Sequence, residues 1–176
     1  MFHLGNLRTA WISHTLAHNS RWVVRFEDID TPRVVAGAAE KQLADLNALG
    51  LVPDAIYFQT QNKKRHFDLF IRAVERGVVY PCLCSRQDIK IAVQSLASAP
   101  HGTDVAPSLQ YSGKCRNLAL GSLDKTNLHT VTWRFKNENI AGIDDFSIAR
   151  TSGLALEFSD FVPAYQWACA IDDWDG

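Results

Sequence analysis

The sequence predicts an α/β domain that carries a smaller α+β insertion. Up to residue 80, short apolar runs alternate with amphipathic stretches whose apolar residues recur at helical spacing. Closely spaced cysteines follow, and then short segments in which apolar and polar residues alternate. We therefore expect residues 1–80 and 161–176 to belong to the main domain, and residues 81–160 to hold the insertion and short strands.

Composition and charge narrow the class of protein. A formal net charge of -1 over 176 residues argues against a strongly basic nucleic-acid-binding surface, although a local basic patch is compatible with it. Arg8 interrupts the apolar residues at the start, and no stretch approaches membrane-spanning length, so we expect a cytoplasmic protein. Cys82 and Cys84 are one residue apart, which favours a metal site or a redox pair over a disulfide scaffold.

The first half of the chain predicts helices and strands in alternation. Residues 5–19 form a helix, and one of its faces carries Leu7, Ala10, Trp11, His14 and Leu16. The run RWVVRFED is nearly continuous in apolar residues, as expected of a buried parallel strand. Pro32 marks the start of the next helix and Gly50 its end. A further amphipathic helix closes at Gly77, and the strand VVYPCLC follows it.

The second half predicts shorter elements. Ser85 is the expected N-cap of a helix, and residues 99–113, with their prolines, glycines and small polar residues, form a loop. The segments HTVTWRFK, IDDFSIAR and LALEF are predicted strands. The last segment, PAYQWACAIDDWDG, begins at a proline and is either a helix or a strand.

His3, Gly5 and Asn6 stand at the start of the first predicted helix. A glycine there lets backbone N–H groups approach a phosphate, whose negative charge the helix dipole favours. His3 could donate to phosphate oxygens as charge develops on them. The competing interpretation is a histidine that merely precedes a helix, with Asn6 as an ordinary N-cap.

Acidic residues follow the strand predicted in RWVVRFED. Open α/β sheets bind ligands at the carboxyl ends of their strands, so Glu27 and Asp28 are candidate ligand-binding residues. If both lie in the strand they point to opposite faces, and one could meet a ligand ammonium while the other caps or pairs with Arg25 or Arg33. The alternative is a solvated turn held by local ion pairs.

Cysteines near the middle of the chain have the spacing of a structural zinc site. Two tight turns carry the candidate donors Cys82, Cys84, Tyr111 and Cys115. Such a site needs four ligands, and the fourth could be Tyr111 or a nearby histidine such as His101. A metal would have to overcome the usual tyrosine pKa of about 10. The alternative is a set of buried free thiols, which is the interpretation we favour for Cys169 in its apolar segment.

Tyr165 lies at the start of the last predicted element. Its hydroxyl could be presented to a ligand, with Asp172 and Asp173 at the end of the same element. An aromatic core residue followed by an acidic helix end explains the same pattern, and the residues alone do not separate the two interpretations.

Five segments occur in the order found in class I glutamyl-tRNA synthetases: HLGN, RFEDIDTPR, YPCLCSR, YSGKC and PAYQWACAIDD. Through its Cys-x-Cys and Tyr-x-x-x-Cys pair, the chain most resembles the short glutamyl-Q tRNA(Asp) synthetase family. The resemblance implies a Rossmann-type catalytic domain with a small zinc-bearing insertion. It also implies that glutamate is activated with ATP and Mg²⁺ and is attached to the queuosine base of tRNA(Asp).

The resemblance also implies a role for each candidate residue. His3, Gly5 and Asn6 match the catalytic signature that holds the ATP phosphates, with Asn6 in place of its last histidine. Glu27 and Tyr165 match residues that line the glutamate pocket. The implied zinc ligands are Cys82, Cys84, Tyr111 and Cys115.

Parts of the family's pattern are not found in these 176 residues. They are a strand and loop before the signature, and a further arginine and a KMSKS-type loop after the Asp-Asp pair. Loss of one charge-stabilising donor typically costs ~100- to 1000-fold in rate, so the resemblance implies a truncated chain of low activity by itself. The apolar edge left at RWVVRFED would favour self-association.

Other functions compete with this interpretation. The chain could be a non-catalytic relative that binds tRNA or a protein, or, within the enzyme class, a glutamyl-tRNA synthetase. A generic zinc-stabilised α/β domain would require five ordered matches to arise by coincidence.

Overall fold

The computed structural model describes residues 3–18, 20–85, 87–89, 111–118, 130–138 and 144–176. His101, most of the helix predicted after Ser85 and most of the predicted loop 99–113 lie outside these ranges. The chain divides into two compact units, Met1–Lys63 and Lys64–Gly176, and each is described by itself. Within the described ranges, no helix has the length and apolar character needed to cross a bilayer.

The first unit alternates helices with strands. In chain order its elements are α1 (Leu4–Leu16), β1 (Val23–Phe26), α2 (Ala38–Ala48) and β2 (Ala55–Phe58). The two strands pair in parallel, with Val23 opposite Ala55 and Phe26 opposite Phe58. Because parallel strands need a crossover connection, α2 lies between them in the chain. The predicted α/β alternation is confirmed for this part of the chain.

Aspartate side chains tie the ends of the parallel pair together. Asp54 Oδ2 accepts the backbone N–H of Trp22 at 2.7 Å, just before β1 begins. Beyond the other end, Asp28 accepts the backbone N–H and the hydroxyl of Thr60 at 2.9 and 2.6 Å. The small core of this unit consists of Trp22, Leu46 and Leu51. A short strand pair is marginal by itself, so these bonds and this core support it.

The helix starts in this unit differ from the sequence predictions. The N-cap of α1 is His3, so Asn6 is not the cap. Pro32 is the second residue of a short 3₁₀ turn (Thr31–Arg33), whereas α2 begins only after Gly37, which has a φ of 75°. Proline suits that turn because its fixed φ is compatible with a first helical position, but Gly37 then redirects the chain.

The predicted apolar face of α1 and the predicted burial of β1 are also corrected. Trp11 and Leu16 are 58% and 79% exposed, whereas Leu7 and Ala10 pack inward as predicted and His14 contacts the Trp22 ring, with 5.0 Å between the ring centres. Along β1, Val23 is exposed and the next three residues are only partly buried. Among the described residues β1 pairs with β2 alone, which explains why this strand is parallel but not buried.

The second unit packs helices on an antiparallel sheet. Within the described residues the strand order is β3–β4–β5–β6, and every neighbouring pair is antiparallel. The elements are α3 (Lys63–Glu75), β3 (Val79–Cys82), β4 (Val131–Phe135), β5 (Phe146–Thr151), β6 (Val162–Pro163) and α4 (Tyr165–Asp175). The last predicted element is therefore a helix.

The strand predicted in LALEF is not present. Residues 154–158 follow a turn in which the Thr151 hydroxyl donates to the Gly153 carbonyl at 2.7 Å. Gly153 has a φ of 82°, a left-handed conformation that glycine adopts at little cost. The turn takes the chain out of the sheet at the end of β5, and the next strand to pair with β5 is β6.

Strand β3 separates two apolar regions of the second unit. Successive side chains of a strand point to opposite faces of the sheet. Val79 packs into the main hydrophobic core, whose large members are Phe70, Trp133, Ile148 and Phe161. Tyr80 and Cys82 instead belong to a second cluster, which contains Tyr111 and Cys115. One four-residue strand thus joins the core to the cysteines.

Polar contacts fix α4 against α3. His66 is fully buried, and its Nε2 lies 2.7 Å from Asp172 Oδ1. The indole of Trp167 donates to the His66 carbonyl at 3.1 Å. At the surface, Arg65 donates twice to the Asp175 carboxylate, each time at 3.1 Å. Arg65 and His66 are consecutive on α3, and Asp172 and Asp175 lie about one turn apart on α4, so these contacts set the relative position of the two helices.

Replacement of Asp172 should destabilise the protein. His66 Nδ1 has no hydrogen-bond partner among the described residues, so Asp172→Ala leaves both nitrogens of a buried ring unpaired. The expected loss is on the order of 1–3 kcal/mol in the free energy of unfolding, measured by urea denaturation. Asp175→Ala is the matched control, because its carboxylate lies on the same helix but pairs with Arg65 at the surface. Equal losses for the two variants would contradict the role assigned to the buried pair.

Candidate functional site

Cysteine thiols converge beside the end of β3. The Sγ atoms of Cys82, Cys84 and Cys115 all lie within 4.8 Å of one another, and those of Cys84 and Cys115 are 3.5 Å apart. Cys82 is the last residue of β3, and Cys115 lies in a turn over residues 114–117. The sequence-predicted cysteines are therefore brought together by the fold, whereas Cys169 lies on α4, apart from this group.

The Tyr111 hydroxyl points into the same cluster. Its Oη accepts from the Cys82 thiol at 3.3 Å and from the Cys115 backbone N–H at 3.0 Å. Cys82 and Cys115 are buried, Tyr111 is 9% exposed, and Cys84 is partly exposed. One oxygen and three sulfur donors thus face a common point, which suits a tetrahedral ion such as Zn²⁺. The other candidate for the fourth ligand, His101, lies outside the described residues.

The surroundings affect the protonation of these groups unequally. Burial, together with the hydrogen bond to Cys115, raises the pKa of Cys84 to about 12. Burial also raises the pKa of Tyr111 above its usual value. At Cys115 burial acts in the same direction, but hydrogen bonds from the Leu83 backbone and the Tyr111 hydroxyl outweigh it and hold the pKa below its usual value. Without a metal, Cys115 thus loses its proton more readily than Cys84 does.

A polar network supports the cysteine cluster from the sheet. The Arg134 guanidinium carbon lies 3.9 Å from the centre of the Tyr111 ring, and the Nη1 atom of Arg134 donates to the Asp145 carbonyl at 3.0 Å. The Tyr80 hydroxyl donates to Asp145 Oδ2 at 2.7 Å. Burial and this bond together raise the pKa of Tyr80 above its usual value. Sequence analysis missed this network, although a charged residue inside the strand VTWRF was a signal of it.

The predicted phosphate-binding residues lie at the exposed start of α1. His3 is the N-cap, and its Nδ1 accepts the Gly5 backbone N–H at 3.1 Å. A Cβ atom on Gly5 would lie 3.2 Å from that nitrogen, so a glycine lets the imidazole fold back on the helix. His3, Gly5 and Asn6 are all exposed to solvent. In this structure, the group that closely approaches Gly5 is the His3 imidazole.

The residues predicted to contact glutamate are exposed. Glu27 follows β1, and its carboxylate lies 3.7 Å from the Arg25 guanidinium. Of the two neighbouring acids, Asp28 is the one that holds the turn, through Thr60. Tyr165 is the first residue of α4 and is 61% exposed, so it is not an aromatic core residue. Glu27 belongs to the first unit and Tyr165 to the second.

Comparison with known families decides the class of this protein. The profile of the family "tRNA synthetases class I (E and Q), catalytic domain" matches residues 1–176. The chain belongs to this family. The resemblance inferred from the ordered segments is thereby confirmed, and the catalytic domain of a class I synthetase is the fold that the helices and sheets above represent.

Individual relatives agree with the family. The chain is 36% identical over 187 residues to the glutamyl-Q tRNA(Asp) synthetase of Nocardia farcinica. This match covers 97% of this chain and 55% of that protein. The chain is 34% identical over 192 residues to the glutamyl-Q tRNA(Asp) synthetase of Burkholderia cenocepacia, and that match covers 98% of this chain and 59% of that protein. The chain thus spans between half and two thirds of the length of these curated relatives.

A solved structure supports the same fold. The crystal structure of the glutamate-tRNA synthetase from Elizabethkingia anophelis matches 99% of this chain and 40% of its own, with a TM-score of 0.66. Its sequence is 20% identical, so the likeness concerns the fold. The glutamate tRNA ligase from Elizabethkingia meningosepticum, solved in complex with its amino acid, gives a TM-score of 0.64 at 21% identity.

Cys84 should be slow to alkylate once any metal has been removed by a chelator. The thiolate is the reactive form, and a pKa of about 12 keeps it scarce near neutral pH. The reaction with iodoacetamide, followed by mass spectrometry of the Cys84 peptide, should accelerate as the pH rises toward that value. Over the same pH range this thiol's contribution to the free energy of unfolding should be lost, because the folded state holds the thiol proton more tightly than the unfolded chain does.

The urea-unfolded protein provides the control for this measurement, since its cysteines react as free thiols. If native, metal-free Cys84 reacted at neutral pH as fast as it does in urea, the burial of its thiol would be contradicted.

Proposed function

We propose that this protein activates glutamate with ATP and transfers it to tRNA, as a synthetase of the glutamyl-Q tRNA(Asp) type. The observation that carries the proposal is the convergence of one tyrosine and three cysteines in a class I synthetase domain. The names of the curated relatives, which cover almost all of this chain, support glutamate and tRNA(Asp) as substrates. The resemblance carried by the five sequence segments implies the queuosine base of that tRNA as the acceptor.

The proposal includes one structural Zn²⁺ ion, held by Cys82, Cys84, Cys115 and Tyr111. The mutual distances of the sulfur atoms and the 3.3 Å from Cys82 Sγ to Tyr111 Oη support this donor set. The ion would supply positive charge that favours the thiolate forms, whose formation burial opposes. It would also tie β3 to the turn that carries Cys115, so its role is to hold the insertion together.

We assign substrate binding to exposed side chains that lie at the ends of helices and strands. His3, Gly5 and Asn6 at the start of α1 would meet the phosphates of ATP with its Mg²⁺, because the helix dipole favours negative charge there. The Glu27 carboxylate would pair with the ammonium of glutamate, and the Tyr165 hydroxyl would bind the same substrate. Their exposure to solvent supports both assignments.

The proposal also includes the location of the protein in the cell, its domain organisation and its self-association. A tRNA-charging enzyme acts in the cytoplasm, where we place this one. Residues 1–80 and 161–176 would form the catalytic domain around the zinc-bearing residues 81–160. The partly exposed β1, which pairs with β2 alone among the described residues, supports self-association through its other edge.

The purified protein should contain one zinc ion per chain, measured by plasma mass spectrometry after gel filtration. Cys82→Ser and Cys115→Ser should each lower the zinc content, because each removes a thiolate ligand. Cys169→Ser is the matched control and should retain the ion, since Cys169 lies on α4 outside the cluster. A protein free of metal, or equal loss in the control, would contradict the proposed centre.

Glutamate should support exchange of pyrophosphate into ATP, and the full-length protein is the sample to assay. Glu27→Gln should lower kcat/KM for glutamate by about 10- to 100-fold, as expected when a charged hydrogen bond is lost. Asp30→Asn is the control, because Asp30 is an exposed neighbour that pairs with Arg33.

The tRNA step separates the competing functions. Transfer of glutamate to tRNA(Asp) that contains queuosine, and not to the same tRNA with guanosine, is the expected result. Transfer to tRNA(Glu) would identify a glutamyl-tRNA synthetase instead. Binding of tRNA without any exchange of pyrophosphate would identify a non-catalytic binding module and would overturn the proposal.

A further inference from the structure

We propose that Arg134 positions the Tyr111 ring so that its hydroxyl becomes the fourth donor of the metal centre. The inference deepens the zinc site proposed above and rests on it. Arg134 makes no contact with a thiol in this role. It acts on the metal through the tyrosine, and is therefore a positioning residue.

The guanidinium covers the ring at close range. Its central carbon lies 3.9 Å from the ring centre, within the distance at which a cation and an aromatic face attract each other. A planar guanidinium can stack on a ring over its whole face, which an ammonium group cannot do. Only 9% of Arg134 is exposed, so the contact is shielded from solvent and the ring has little freedom to turn away.

Adjacent acidic residues hold both members of this pair. The Asp145 carbonyl accepts from Arg134 Nη1 at 3.0 Å, and the Asp144 carboxylate accepts from the Tyr111 backbone N–H at 3.2 Å. Because Asp144 and Asp145 are consecutive, the arginine and the tyrosine are placed relative to each other by one short stretch of chain. The Tyr111 hydroxyl is then fixed by the backbone N–H of Cys115.

Arg116, although next to Cys115 in the chain, is engaged differently. Its guanidinium lies 3.5 Å from the Asp145 carboxylate and 3.4 Å from that of Glu138. By contrast, Arg134 makes no ion pair with a carboxylate in the described part of the chain, and its guanidinium lies against the face of the Tyr111 ring. This difference singles out Arg134 as the cation that orients the tyrosine.

A double-mutant cycle on zinc affinity tests the proposal. Arg134→Met and Tyr111→Phe should each weaken zinc binding by ~10- to 100-fold, the usual effect of losing a group that orients a ligand, measured by competition with a chromophoric chelator. The double variant should bind zinc no more weakly than Tyr111→Phe alone, because both changes remove the same oxygen donor. Arg150→Met, on the exposed side of β5, is the control and should bind zinc normally.

Cobalt(II) substitution provides a readout that a general loss of stability would not reproduce. Both single variants should keep the thiolate-to-cobalt charge-transfer bands and should show the same displacement of the ligand-field bands relative to the wild type. Thermal unfolding of the metal-free proteins records the stability of each variant separately. If Arg134→Met does not fold, Arg134→Lys takes its place in the cycle and is judged by the same criteria.

The outcomes separate this inference from the zinc site itself. The role of Arg134 would be overturned if the losses of zinc affinity caused by the two substitutions were fully additive. It would also be overturned if the Arg134 variant kept the wild-type affinity and spectrum while Tyr111→Phe bound zinc more weakly. Either result would leave the zinc site in place. Wild-type affinity and spectrum for Tyr111→Phe would overturn the tyrosine as a ligand, and the role of Arg134 with it.

Discussion

The alternation of side chains along β3 is the constraint on which the second unit depends. Val79 and Pro81 pair across the sheet with Phe135 and Trp133, whereas Tyr80 and Cys82 pair with Arg134 and Thr132. A slip of one residue would turn a cysteine into the hydrophobic core and a valine into the thiol cluster. Both faces of the strand are buried, so the core and the cluster oppose any such slip together.

Asp145 shows how the polar groups of this region satisfy one another. It is 7% exposed, yet its carboxylate accepts from the Tyr80 hydroxyl and from the Asn137 backbone N–H. A buried network of this kind stabilises a fold only when its members are paired, because the interior penalises each unpaired group. The paired Asp145 carboxylate therefore supports the cysteine cluster through Tyr80, which belongs to that cluster.

Elements with strong periodicity were predictable from the sequence, and so was the cysteine cluster from its spacing. Strands β2 and β6 were not, because four and two residues carry too little pattern and owe their conformation to pairing with β1 and β5. The position of Arg134 over Tyr111 depends on the register of β3 and β4, which are far apart in the chain. Local sequence contains no information on that register, so this part of the site needed the structure.

The contact between α3 and α4 has a consequence for folding during synthesis. His66 and Asp172 are 106 residues apart, so at about 5–20 residues per second the ribosome makes the partner roughly 5–20 s after the histidine. Until the partner is made, α3 lacks the helix that packs against it. The second unit therefore acquires its final packing late, and until then the apolar side of α3 is open to chaperones and proteases.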